Sequence, residues 1–310
     1  MKGIADMESI LETKNLYKTY GKQVVLNGLD INVPKGSIYG LIGKNGAGKT
    51  TLIRIICGLQ KQNVGDLYIC GVNSTSSEIN MARRKIGAIV ETPSLHLNMT
   101  AHDNLKLQMM LLGNYDKKTA EELLAFVGLS NTGKKEVRNF SLGMRQRLAI
   151  ALALCGNPEL LVLDEPINGL DPQGIIEVRE LLLKINQEKK ITILVSSHLL
   201  DELARIATHY GFVNNGKIET EMSAPDLEAS LQRHTMLMLN HSDGVMMAMT
   251  RFNNKYELKD STTLLIYDPI IITELVLALH EKGIVVERII EKAETLEDRF
   301  LQLIGGADHA

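Results

Sequence analysis

The chain lacks any uncharged apolar segment long enough to cross a lipid bilayer. Such a segment needs about 18–20 residues, whereas the longest candidates, residues 148–155 and 269–279, are too short or carry a charge. The first residues are interrupted by charges and lack the apolar stretch of a signal peptide. We therefore expect the chain to be soluble by itself.

Cysteine is scarce, and there is no excess of basic residues. The three cysteines, Cys57, Cys70 and Cys155, form no C-x-x-C pair and have no cluster of histidines nearby in the sequence. Because a metal site needs ligands at convergent spacing, we interpret these thiols as small, reduced, apolar side chains. The net charge is −3. Because proteins that bind nucleic acids carry clusters of basic residues, we expect no nucleic-acid partner.

Length and composition are those of a globular protein with room for two domains. The 310 residues are 45% apolar and 23% charged, as in ordinary soluble proteins. Up to about residue 222, short apolar runs alternate with segments of helical period. This alternation predicts an α/β fold in which helices cover both faces of a mostly parallel sheet. Helical segments at residues 98–129 interrupt it, within a predicted helical subdomain of about residues 95–160.

The pattern changes after residue 222. A helical connector precedes segments in the order βαββαβ, which is the order of a ferredoxin-like split motif, and a last helix is predicted at residues 296–303. We expect residues 8–222 to form one domain and residues 223–310 a smaller α+β accessory domain. Two roles remain open for the accessory domain: regulation by a bound effector or partner, and stabilisation of a dimer.

A glycine-rich segment fits the phosphate-loop pattern G-x-x-x-x-G-K-[ST], directly after a predicted strand and at the start of a predicted helix. Glycines let backbone N–H groups converge on phosphate oxygens, and the helix N-terminus adds a favourable dipole. Lys49 then supplies a positive charge to the β- and γ-phosphates, and Thr50 supplies a hydroxyl to Mg²⁺. The matching residues are Gly43, Lys44, Asn45, Gly46, Ala47, Gly48, Lys49 and Thr50.

An apolar run at residues 160–163 ends in two carboxylates, Asp164 and Glu165. Successive side chains of a strand point to opposite faces, so the two acids can take different roles. Asp164 fits the aspartate that holds Mg²⁺ in phosphate-loop enzymes, and Glu165 is placed to orient or deprotonate an attacking water. Two acids after an apolar run usually mark only a strand end, but the phosphate loop in the same chain favours nucleotide hydrolysis.

A third segment, residues 140–147, distinguishes between phosphate-loop families. Its sequence FSLGMRQR resembles the signature of the ATP-binding cassettes of ABC transporters, usually LSGGQ followed by basic residues. Ser141 and Gly143 match this signature, while Leu142 and Met144 replace a glycine and the glutamine. The physical role survives, because Ser141 can cap a helix and the Gly143 amide can approach a phosphate closely. The resemblance implies that this segment contacts the ATP of the opposite subunit in a head-to-tail homodimer.

Other residues match the same family in chain order, over residues 8–222. The resemblance implies that Tyr20 stacks on adenine, that Asp171 lies at the dimer interface, and that His198 contacts the γ-phosphate as a catalytic residue beside Glu165. It adds Thr51 to the ATP contacts of the phosphate loop. It also implies the fold of the ABC cassette, a P-loop NTPase sheet with a helical subdomain and an N-terminal β subdomain.

One departure from the family stands at the end of the predicted strand at residues 86–90. The family usually has glutamine there, near Mg²⁺ and the attacking water, whereas this chain has Glu91. A carboxylate strengthens cation binding but repels phosphate, and Glu91 is predicted as a metal contact, direct or through water, beside Thr50 and Asp164. With the runs SLGMRQRLAIALAL and DEPINGLDPQGI, it resembles the bacitracin-resistance and lantibiotic-immunity branch. The alternative is a solvated charge at a strand end.

The resemblance implies an ATPase subunit that uses ATP and Mg²⁺ and works with membrane-spanning permease chains at the inner face of the cell membrane. In the family, the surface near Glu91 and residues 98–129 couples to the permease. Export of a lantibiotic or a bacitracin-like peptide is the leading expectation, with drugs or lipids as other cargoes. The rival from another class is a non-transport ABC ATPase of translation or DNA maintenance. Such proteins usually carry two cassettes or a long coiled coil, and this sequence has one cassette and no sustained heptads.

Overall fold

The structure, a computed structural model, describes residues 8–231 and 233–293. Within these ranges two compact units divide between Ala224 and Pro225. No helix of the described ranges is both long enough and apolar enough to traverse a bilayer. The helix predicted at residues 296–303 lies outside the described residues.

The first unit is built on two sheets. Its strands are β1 (Ser9–Tyr20), β2 (Gln23–Pro34), β3 (Ile38–Ile42), β4 (Val64–Ile69), β5 (Val72–Asn73), β6 (Ile86–Ile89), β7 (Leu160–Asp164), β8 (Thr192–Ser197), β9 (His209–Asn214) and β10 (Lys217–Ser223). The smaller sheet has the order β2-β1-β4-β5 and is antiparallel. The larger sheet has the order β10-β9-β3-β8-β7-β6.

The larger sheet is mostly parallel. Strands β6, β7, β8, β3 and β9 pair in parallel, and only β10 pairs antiparallel, with β9. Every residue of β3, β7 and β8 is buried, as is typical of a parallel sheet with helices on both faces. The predicted α/β fold is therefore confirmed.

Side-chain caps set the starts of several helices. The helices up to residue 231 are α1 (Lys49–Ile56), α2 (Ile79–Arg83), α3 (Ala101–Leu112), α4 (Lys117–Phe126), α5 (Leu142–Leu154), α6 (Pro172–Lys189), α7 (Leu200–Ala204) and α8 (Ala224–Ser230). Thr100 has extended backbone, and its hydroxyl accepts from the Asp103 amide at 3.1 Å. This cap starts α3 at residue 101, whereas the apolar spacing alone predicts a start at residue 98.

A partly buried hydrogen bond links the two sheets. The Tyr39 hydroxyl donates to the Glu221 carboxylate, which also accepts from the Asn32 amide at 2.9 Å. Burial raises the pKa of Glu221, and burial together with the nearby Glu221 raises the pKa of Tyr39. The contact joins β3 and β10 of the larger sheet to β2 of the smaller one.

The second unit has the predicted βαββαβ order. Its elements are β11 (Arg233–Leu239), α9 (Val245–Met249), β12 (Tyr256–Leu258), β13 (Thr263–Ile266), α10 (Ile272–His280) and β14 (Val286–Ala293). The strands are antiparallel in the order β12-β13-β11-β14, the arrangement of a split βαβ motif. A separate core that includes Leu237, Leu264 and Leu275 supports this sheet.

Candidate active site

The carboxyl ends of three parallel strands bring most of the predicted site residues to one sheet edge. In the strand register Ile42 of β3 lies beside Ser197 of β8, and Asp164 of β7 lies beside Ser196. The residues that follow these strands, Gly43, Glu165 and His198 among them, are therefore at the same edge. Ligands of open α/β sheets bind at this edge.

The phosphate loop has a backbone that glycine alone accommodates well. Gly46 and Gly48 have φ angles of 82° and 109°, in the left-handed range that side chains disfavour. A Cβ on Gly43 would lie 2.5 Å from the Val213 carbonyl oxygen, and one on Gly48 would lie 2.8 Å from Leu26 Cδ2. Gly48 caps α1 without any side chain, so the first-turn N–H groups of this helix are donors for an anion.

Lys49 is buried inside this loop, with 5% of its surface exposed. Its Nζ donates to the carbonyl oxygens of Gly43 at 2.6 Å and Lys44 at 3.3 Å, and it lies 3.4 Å from Glu165 Oε1. The ammonium is thus held between the loop and the acidic strand end. It can neutralise phosphate oxygens that the loop amides bind.

A serine on the neighbouring strand orients both acids. Asp164 is 4% exposed, and its Oδ1 accepts from the Ser196 hydroxyl at 2.6 Å. The same hydroxyl accepts from the Glu165 amide at 3.0 Å. Glu165 has a left-handed φ of 49°, which turns its side chain away from the strand. Sequence reasoning did not single out Ser196, although a serine directly after an apolar run and next to a predicted site is a signal for it.

The Glu165 carboxylate bridges two basic groups. Oε1 faces Lys49, and Oε2 lies 2.8 Å from His198 Nδ1. If Glu165 is ionised, it can only accept, so Nδ1 carries the proton and donates. Nε2 of His198 is then the nitrogen that can face a phosphate. The geometry suits a carboxylate that acts on water next to a triphosphate.

Magnesium fits the oxygen donors at this edge when phosphate completes its coordination. Asp164 would offer a carboxylate and Thr50 a hydroxyl, both oxygen donors of the hard type that Mg²⁺ takes. The described residues contain no group of three or more His, Cys, Asp or Glu side chains that could hold a metal by themselves.

The predicted signature residues lie at another helix N-terminus. The Ser141 hydroxyl caps α5 by accepting from the Met144 amide at 3.2 Å, and Leu142 is 51% exposed. A Cβ on Gly143 would be 3.5 Å from Gly174 Cα at the start of α6. Asp171 caps α6, with Oδ1 accepting from the Gly174 amide at 3.1 Å. The structure therefore groups Ser141, Leu142, Gly143 and Met144 with Asp171.

Tyr20 and Glu91 have local partners. Tyr20 is 43% exposed, its hydroxyl donates to Gln60, and Lys18 Nζ lies 5.2 Å from its ring centroid. Glu91 has a left-handed φ of 61° and forms an ion pair with Arg54. A role for Glu91 beside the metal and a role for Tyr20 under adenine both stay predictions. Arg54 is a residue that sequence reasoning did not identify.

Known proteins resemble this chain over most of its length. A family model described as "ABC transporter" matches residues 26–168. The "Bacitracin transport ATP-binding protein BcrA" of Bacillus licheniformis is 40% identical over 303 residues, which cover 97% of this chain and 99% of that protein. The "Lantibiotic transport ATP-binding protein SrtF" of Streptococcus pyogenes is 45% identical over 212 residues, 68% of this chain and 90% of that protein.

A solved structure with the same fold is a dimeric post-hydrolysis state of the ATP-binding cassette MJ0796 with ADP and phosphate. It aligns with a TM-score of 0.62 and 28% sequence identity, over 69% of this chain and 98% of that one. The similarity to known ABC cassettes is therefore seen in the backbone structure as well as in the sequence.

Proposed function

The chain belongs to the family of ABC transporter ATP-binding subunits, and from this membership we propose that it powers export of a bacitracin-like or lantibiotic peptide. The observation that supports this cargo is the 40% identity to a protein named for bacitracin transport, over 99% of that protein's length. The relative named for lantibiotic transport points to the same class of peptide. Expulsion of such a peptide would protect the cell that makes or meets it.

In this mechanism, residues at the sheet edge change contacts and accept a proton as ATP is hydrolysed. Loop amides of residues 43–50 and Lys49 bind the phosphates, and Lys49 then leaves Glu165 for phosphate oxygen. Glu165, oriented through its amide by Ser196, accepts a proton from the attacking water. His198 holds the Glu165 carboxylate through Nδ1 and faces the γ-phosphate through Nε2. Asp164 and Thr50 would hold Mg²⁺, which when bound would neutralise charge on the phosphate oxygens.

A second copy of the chain completes the site. The solved relative MJ0796 is a dimer, and the Ser141 cap leaves Leu142 exposed at the tip of α5. We place this tip of one protomer on the γ-phosphate bound by its partner, with Asp171 at the interface. The closed dimer is then favoured with ATP bound, and the open state is favoured after hydrolysis. This shift in free energy between the two states drives the attached permease.

The permease docks, in this proposal, on a groove of about 820 Å³ beside strand β6. Its walls include Ile86–Ile89, Leu111 and Leu112 of α3, and Ala149 of α5. Leu111 is 76% exposed and Leu112 49% exposed, and exposed apolar side chains around a groove are typical of a protein interface. The permease would keep this subunit at the cytoplasmic face of the membrane.

The two compact units support a division of the chain into two domains. We propose that residues 8–222 form the ATP-binding cassette and residues 223–310 an accessory α+β domain. The split βαβ sheet of the second unit has its own core, which agrees with an independent domain.

Removal of this chain from its cell should increase susceptibility to bacitracin or to a lantibiotic, because export then loses its source of energy. The measurement is the inhibitory peptide concentration, with small drugs tested alongside. Wild-type chain supplied in trans should restore resistance. If susceptibility rises for a drug and for neither peptide, the proposed cargo is wrong.

Complementation can also test the docking groove. A Leu111→Asp variant places a charge in the groove, so we expect it to restore no resistance and to lose the co-purifying permease. The matched control is Leu277→Asp, which changes a leucine of α10 that is 61% exposed and should restore resistance fully. Equal rescue by both variants would contradict the assignment of the groove.

A further inference from the structure

An ion pair links the far end of the phosphate-binding helix to the loop after β6. Arg54 lies in the last turn of α1, the helix that begins at Lys49, and its Nη2 contacts Glu91 Oε1. The side chains are 33% and 55% exposed. A pair this exposed adds little to the free energy of unfolding, so global stability is a weak explanation for it.

Strand β6 ends at the same sheet edge as the candidate active site, and Glu91 follows shortly after that end. Strands β6 and β7 are parallel, with Ile89 beside Leu163. Glu91 follows Ile89 by two residues, as Glu165 follows Leu163. Both glutamates also have left-handed backbone, with φ of 61° and 49°. Residues in this disfavoured conformation occur often at functional sites, where surrounding structure holds them.

Helix capping does not account for Arg54, because another arginine performs that role. Arg83 Nε donates to the Ile56 carbonyl at 3.3 Å, and Arg83 Nη2 donates to the Ile55 carbonyl at 3.4 Å. These are terminal carbonyl groups of α1, which cations stabilise. The guanidinium of Arg54 is directed to Glu91 instead.

The backbone of Arg54 also connects this pair to Tyr20. The Arg54 carbonyl accepts from the Leu59 amide at 2.9 Å and from the Gln60 amide at 3.2 Å, and the Gln60 side chain accepts from the Tyr20 hydroxyl. A short segment at the end of α1 therefore contacts the side chains of both Glu91 and Tyr20.

A free carboxylate at the nucleotide edge would repel triphosphate. We propose that Arg54 is a positioning residue that holds the Glu91 carboxylate at the surface and limits its approach to the bound phosphates. The inference rests on the proposed nucleotide site. It assigns to Arg54 the control of an acidic residue that follows a strand ending at the edge of the candidate active site.

The test is a double-mutant cycle on the full-length chain, with ATP affinity measured in EDTA and KM and kcat measured with Mg-ATP. Arg54→Ala releases Glu91, so we expect Kd and KM to rise about threefold to tenfold, with kcat changed far less. In EDTA, where a metal contact of Glu91 has no effect, Glu91→Gln alone should change the Kd for ATP less than about twofold, since Arg54 already restrains the carboxylate. In the Arg54→Ala background, Glu91→Gln should recover most of the lost affinity.

Arg83→Ala is the matched control, because it removes a guanidinium of α2 that contacts the same end of α1. Any loss of affinity in Arg83→Ala should remain when Glu91→Gln is added, and Arg54→Lys should stay close to wild type. Arg54→Gln serves as the second variant if Arg54→Ala fails to fold.

Two results would overturn the role of Arg54: unchanged ATP affinity in Arg54→Ala, or an equal gain from Glu91→Gln with and without Arg54. Absence of ATP binding by the wild-type chain would instead reject the proposed nucleotide site itself.

Discussion

Replacement of Glu165 by glutamine is expected to slow ATP turnover by roughly 10²–10⁴-fold, the usual contribution of a general base. The amide has nearly the same shape but accepts protons poorly. The Glu165 amide stays bonded to Ser196 at 3.0 Å, so the strand end should keep its conformation. ATP should still bind, because Lys49 and the loop amides are unaltered. Steady-state phosphate release and equilibrium ATP binding are the two measurements.

Glu159→Gln provides a matched control at the opposite end of strand β7. Glu159 forms an exposed ion pair with Lys85 at 2.8 Å. Its replacement by glutamine is therefore the same chemical change at a position away from the site. This variant should retain wild-type turnover. Turnover near the wild-type rate in Glu165→Gln would remove Glu165 from the role of general base.

Lys49→Ala should weaken ATP binding roughly tenfold to a hundredfold, because a charge-assisted hydrogen bond contributes about 1.5–3 kcal/mol. The effect should lie toward the upper end, since the ammonium is 5% exposed and buried charges are poorly screened. Titration with ATP, followed by calorimetry or fluorescence, measures the dissociation constant directly.

The exposed Lys61 is the control for this second change. Lys61→Ala should leave ATP affinity unaltered, and thermal melting of both variants separates a local effect from unfolding. Wild-type affinity in a folded Lys49→Ala protein would contradict the phosphate-loop assignment.

The sequence predicts the parallel core well because its signals are local. Mainly apolar runs end at Ile42, Leu163 and Val195, as in strands buried on both faces, and the structure has strands there. The long hairpin of β1 and β2 was not identified strand by strand. Its pairing contains several register shifts, and such bulges break the period-two pattern on which strand prediction relies.

In the candidate site, too, residues that follow local sequence patterns could be predicted, and residues that act through distant partners could not. Asp164, Glu165 and His198 follow predicted strands, so parallel pairing brings them to one edge. Ser196 and Arg54 act through partners 32 and 37 residues distant in sequence, and such pairs depend on tertiary structure that no local pattern encodes. Gly143 lies close to Gly174 at the start of α6, and the contact of Ser141 and Gly143 with the ATP of a second copy stays a prediction.

Sedimentation velocity of the full-length Glu165→Gln protein at saturating Mg-ATP tests the central claim, that two copies enclose ATP. We expect the 34.3 kDa chain to sediment as a dimer with Mg-ATP and as a monomer without nucleotide. Gly143→Asp in the same background should abolish the dimer while ATP still binds, because its carboxylate would face the partner's γ-phosphate. A Glu165→Gln protein that binds Mg-ATP fully and remains monomeric at every concentration would contradict the account.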